Sequence, residues 1–178
     1  EIEKSTGQKP EVFDVSELEK AEKYPYRLLI GESALTKQLG IDVSKLPREG
    51  FLIKTFPEGV AIAGNDSSLD REFNKSPLDR AGAQRGTLWG AYDFLERFLG
   101  AKFVFPGDAG TVVPKHRTLK VPAMDILERP DYTVRLFTWY QGDWFDHSPE
   151  WGNQGVRAKT LNLYRTRHET EYLPCNHG

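Results

Sequence analysis

The most regular alternation of apolar and polar positions lies between residues 85 and 114, in "RGTLWGAYDFLERFLGAKFVFPGDAGTVVP". On a helical wheel, Leu88, Tyr92, Leu95 and Leu99 share one line, with Ala91, Phe94 and Phe98 widening it. Asp93, Glu96 and Arg97 take the other side, so the spacing predicts an amphipathic helix over 87–99 that lies on a sheet. Gly100 is its expected stop. "AKFVFP" then reads as a further strand, "GDAG" as a turn, and "TVVP" and "TLKVP" as short extended pieces. Trp89 projects on the polar side of the wheel, which leaves two readings: a partly exposed tryptophan under a loop, or a contact with a neighbouring domain.

Upstream, "RLLI" at 27–30 is a short apolar run closed by Gly31, as expected of a buried strand. "ESALTKQLG" follows, with Ala34, Leu35, Gln38 and Leu39 at helical spacing, Ser33 as N-cap and Gly40 as stop. "GFLIKTFPEGVAIAG" predicts a β-hairpin: Phe51 to Phe56, a turn with Pro57 at its first corner and Gly59 tolerant of positive φ, then Val60 to Ala63. A hairpin beside a strand–helix unit implies a mixed sheet, hence an α/β (α+β) class with helices packed on the sheet. Residues 64–86 are polar and rich in Asn, Asp, Ser and Gly, a long loop, either functional or merely solvated. "EIEKSTGQKP" reads as a last helical turn with Gly7 as stop, from which the chain is expected to be a piece of a longer protein.

After Pro122 the texture changes. "MDILERPD" reads as an acidic linker, and the expected division is a domain over 1–124 and a second, incomplete one over 125–178. Tyr132 to Tyr140 alternates as a strand, with Arg135 inside it. A strand arginine among apolar neighbours costs free energy unless paired, which makes Arg135 a site candidate.

Composition narrows the function classes. The chain has 178 residues, 38% hydrophobic and 12% aromatic, enough for an ordinary core. Its 24 basic and 26 acidic residues give a net charge of -2, against nucleic acid as the main partner. One cysteine excludes an internal disulfide, and no apolar run approaches the ~18 residues that cross a membrane. His147, His168, His177 and Cys175 lack metal-ligand spacing, and His168 is expected in a solvated charged stretch. No phosphate-binding glycine loop or nucleophile elbow is present, and no cofactor is implied. Trp139, Tyr140, Trp144, Phe145 and Trp151 crowd together, as rings that stack on sugar faces do, or as core packing does. Asp143, Asp146 and Glu150 are either the mouth of a site or an ordinary polar loop.

The block "LWGAYDFLE … LGAKFVFPG … TVVP" resembles the end of the non-catalytic N-terminal domain of several carbohydrate-active enzymes. These are glycoside hydrolase family 20 (β-hexosaminidases), family 67 (α-glucuronidases) and bacterial proteins carrying the uncharacterised DUF4838 domain. "ILERPDYTVR" resembles their linker into a catalytic (β/α)8 barrel, and "NLYRTRHETEYLPCNHG" is most similar to the DUF4838 group. The resemblance implies an accessory domain followed by the start of a barrel, with carbohydrate and the chain's own downstream barrel as partners. It implies a periplasmic or extracellular location. It places Arg135 at the end of the first barrel strand, where family 20 binds sugar hydroxyls, although Leu136 follows here rather than glycine. The expected substrate-binding set is Arg135, Trp139, Asp143, Trp144 and His177, with Trp89 between domains. Glycoside hydrolysis needs two carboxyl groups on barrel strand ends, so no catalytic pair is expected in this chain. The alternative is a carbohydrate-binding module without catalysis.

Overall fold

The structure is a computed structural model that describes residues 1–67, 84–132, 135 and 161–168. Two compact units divide the chain, and they are not consecutive stretches. The first comprises Glu1–Asp66, Arg85–Ala101 and Val113–Arg129. The second contains Lys102–Val112 and, among the described residues, 67, 84, 130–132, 135 and 161–168.

The first unit is built on a four-stranded mixed sheet. Strand β1 (Arg27–Ile30) leads to helix α3 (Ala34–Gln38), and β2 (Phe51–Phe56) and β3 (Gly59–Gly64) form the expected hairpin. The order is β1-β3-β2-β6, where β6 is Asp125–Glu128, with β1 parallel to β3 and the other pairs antiparallel. Short helices α1 (Ile2–Thr6) and α2 (Leu18–Ala21) precede the sheet, and α4 (Gly86–Leu99) follows the hairpin. The α/β class and the mixed sheet are therefore as predicted.

Turn chemistry explains the hairpin. Phe56 pairs with Gly59, which leaves Pro57 and Glu58 as the corner. Gly59 has φ 151, and a Cβ there would sit 1.8 Å from the carbonyl oxygen of Arg27. Only glycine lets β1 pass this close, where the Arg27 N–H donates to the Glu58 carbonyl at 2.7 Å.

Both faces of the sheet are covered, so β2 and β3 show little apolar–polar alternation. One face carries Phe51, Ile53, Val60 and Ile62, all buried, and receives α4. On the other, Ile41, Ala61 and Ala63 form a buried cluster with Leu29, Leu39, Val43, Leu52 and Phe56 against it. Lys54 lies on this second face, donating to the Leu39 carbonyl at 2.9 Å and standing 3.6 Å from Asp125.

The capping of α3 is reciprocal. The Thr36 N–H donates to Ser33 Oγ at 3.2 Å, and the Ser33 N–H donates to Thr36 Oγ1 at 2.8 Å. Thr36 is fully buried, so this cap anchors the covering layer. Ser33→Ala is expected to cost about 1 kcal/mol in chemical denaturation. Between α3 and β2, Asp42 caps a 3-10 turn over Val43–Lys45. The Ser44 hydroxyl, then Lys45, holds the Asp42 carboxyl below the ordinary carboxylate range. A lowered value means the stabilisation is present above the ordinary carboxylate pKa and is lost as pH falls through the folded one. Carboxyl NMR titration of Ser44→Ala should show the Asp42 transition move up toward the ordinary range.

Helix α4 occupies its predicted span. Gly100 closes it in the left-handed conformation at φ 66, its N–H donating to the Leu95 carbonyl. The buried positions, however, are Gly86, Trp89, Gly90, Phe94 and Leu99. Leu88, Ala91, Tyr92, Leu95 and Phe98 are only half-buried. The line seated on the sheet is thus Gly86, Gly90 and Phe94, rotated from the expected stripe. A Cβ on Gly90 would lie 2.8 Å from Ile62 Cγ2 and 3.0 Å from the Phe51 ring. The glycines bring the helix down onto β2 and β3, and a hydropathy wheel gives glycine no weight.

Two further expectations are corrected. Residues 125–128, expected as linker, form edge strand β6 (Asp125–Glu128), paired with β2 from Phe51–Glu128 to Lys54–Asp125. Arg97 links α4 to this strand, donating to Asp93 and, at 2.8 Å, to Glu128. "AKFVFP", expected as a strand, is strand only at Lys102–Phe103, β4, which pairs with β5 (Thr111–Val112) in a two-stranded sheet.

Candidate functional site

Two clusters of polar side chains stand out, one in each unit. In the first unit, the chain entering β2, the end of β3 and the N-terminal turn of α4 are locked together through main-chain groups and two side chains. The Asn65 N–H donates to the Gly50 carbonyl at 2.8 Å, and the Gly86 N–H donates to the Asn65 carbonyl at 3.1 Å. The Thr87 N–H donates to Asp66 Oδ1 at 2.9 Å, and Thr87 Oγ1 accepts from the Gly64 N–H at 2.9 Å. Asp66 also bridges Arg85 as an isolated β-pair. Asp66 thus satisfies one N–H of the first turn of α4, whose own N-cap position, Arg85, makes no side-chain cap.

Beside this junction lie a buried carboxyl and a buried indole. Glu49 is 2% exposed and has φ 54, in the left-handed region that a residue with a side chain rarely occupies. Its Oε1 accepts the indole N–H of Trp89 at 3.2 Å. Trp89 is fully buried, so of its two expected readings the partly exposed one is corrected; the indole donates to Glu49 inside its own unit. Arg85, 2% exposed, is the other buried charged residue of this junction. Sequence reasoning missed Glu49 altogether. The signal was faint: an acidic residue before Gly50, with its partner forty positions further on.

In the second unit, Arg135 is the expected substrate-binding residue that the structure describes. Its Nε donates to the Arg167 carbonyl at 2.8 Å, and its Nη1 donates to the Tyr132 carbonyl. Its own carbonyl lies 3.1 Å from His168 Nδ1. At least two of the five guanidinium N–H groups are therefore spent on main chain, which fixes the plane of the group. The paired carbonyls also compensate the cost of its partial burial. Arg167 adopts φ 56 at the end of the helical turn over 161–165, and the His168 N–H closes that end on the Leu163 carbonyl at 2.8 Å.

Arg165, on the same turn, stacks its guanidinium 4.7 Å over the Phe103 ring and donates to Thr111 Oγ1 at 3.0 Å. It clasps both strands of the β4–β5 hairpin. Tyr164 is 1% exposed and Asn162 5% exposed, so this short turn is the buried centre of the described part of the unit. His168 is half-buried rather than solvated, a correction to its expected setting. Arg165, Asn162 and Tyr164 were not anticipated; the role of Arg165 depends on Phe103 and Thr111, which are remote in sequence. Trp139, Asp143, Trp144 and His177, with Tyr140, Phe145, Trp151, Asp146 and Glu150, lie outside the described residues.

Chemically, the second cluster directs its guanidinium N–H groups onto main-chain carbonyls and the Thr111 hydroxyl, with the His168 imidazole against the Arg135 carbonyl. Among the described residues, no group of three or more His, Cys, Asp and Glu is placed to hold a metal ion. Among them, too, no helix is long and apolar enough to cross a membrane. No family model, no curated protein and no solved structure matches this chain.

Proposed function

We propose that this chain is part of a glycoside-hydrolase-like protein, in which the first unit is a non-catalytic supporting domain and catalysis belongs to a barrel carried further along the protein. The observation that carries this reading is how the first unit uses its buried polar side chains. Ser5 Oγ donates to the Pro114 carbonyl at 2.7 Å, Thr36 completes the cap of α3, and Glu49 holds the Trp89 indole. Each of these groups fastens one element to another, as a framework requires. The resemblance of residues 85–114 to the end of accessory domains in carbohydrate-active enzymes supplies the substrate class and, with it, a periplasmic or extracellular setting.

The test is activity and binding of the purified chain. The expected result is no turnover of aryl-glycosides and no calorimetric heat with oligosaccharides up to about millimolar concentration. Turnover that co-purifies with the chain would overturn the supporting role. A second reading, a carbohydrate-binding module, is favoured by the bracing of Arg135, since a fixed guanidinium loses little freedom on binding. Saturable binding that disappears in both Arg135→Ala and Trp139→Ala would establish that reading in place of the first.

A further inference from the structure

We draw no further inference here: the strongest candidate, the exposed apolar patch of Val104, Phe105 and Val112 on the β4–β5 hairpin, carries nothing because nothing in the structure shows what covers it.

Discussion

Gly86→Ala is expected to abolish or severely weaken folding of the first unit. A Cβ at this position would stand 2.3 Å from the Gly50 carbonyl oxygen and 2.6 Å from the Asn65 nitrogen. Both are backbone atoms, the acceptor and the donor of the hydrogen bond that joins the residue before β2 to the residue after β3. Neither can rotate away as a side chain can. Gly64→Ala meets the same obstacle from the other side, 2.2 Å from the Gly86 carbonyl carbon and 2.3 Å from the Thr87 nitrogen. Overpacking of this kind costs about 3 kcal/mol or more, a large share of a domain's stability of roughly 5–15 kcal/mol. Gly90→Ala is the comparison. Its Cβ would meet Ile62 and Phe51 side chains, and alanine returns about 1 kcal/mol of helix propensity. Its net loss should be clearly smaller. Urea denaturation followed by far-ultraviolet circular dichroism ranks the three. An unchanged midpoint for Gly86→Ala would refute the close seating of the helix.

The second large effect is at Trp89. Trp89→Ala removes a fully buried indole and is expected to cost about 3–5 kcal/mol. Trp89→Phe keeps most of the ring but loses the N–H donated to Glu49, and should cost about 1–3 kcal/mol. Glu49→Gln keeps an acceptor in place and should fall below Trp89→Phe. The order Ala, Phe, Gln separates shape from hydrogen bonding. If Trp89→Phe left the denaturation midpoint unchanged, the indole–carboxyl bond would contribute nothing, and only the volume of the ring would matter.

Much of the first unit was legible along the chain. The hairpin was readable because Pro57 and Gly59 supply turn geometry within four positions, and β1 and α3 because apolar runs end at Gly31 and Gly40. The span of α4 was readable because its period and its glycine stop are local. Its buried face was not, since Gly86 and Gly90 mark the contact line by lacking a side chain. The reading of 125–128 as linker failed for a related reason. Asp125 and Glu128 make the stretch look polar, yet among the described residues it pairs only with β2, as an edge strand, and Leu127 is 57% exposed.

Of the second cluster, Arg135 alone was singled out along the chain, because an arginine in an apolar strand pattern demands partners wherever it occurs. Which partners it takes depends on the return of residues 161–168, and no local pattern encodes that return.

Sequence alone therefore determined the elements whose causes lie within a few residues: caps, turns, glycine stops and helical period. The tertiary structure decided the rest: the rotation of α4, the pairing of Trp89 with Glu49, the recruitment of β6, and the clasp of Arg165 on Phe103 and Thr111. The physical reason is common to all four. Each is a contact between positions far apart in the chain, stabilised by burial or by a hydrogen bond that exists only once both partners have been brought out of water.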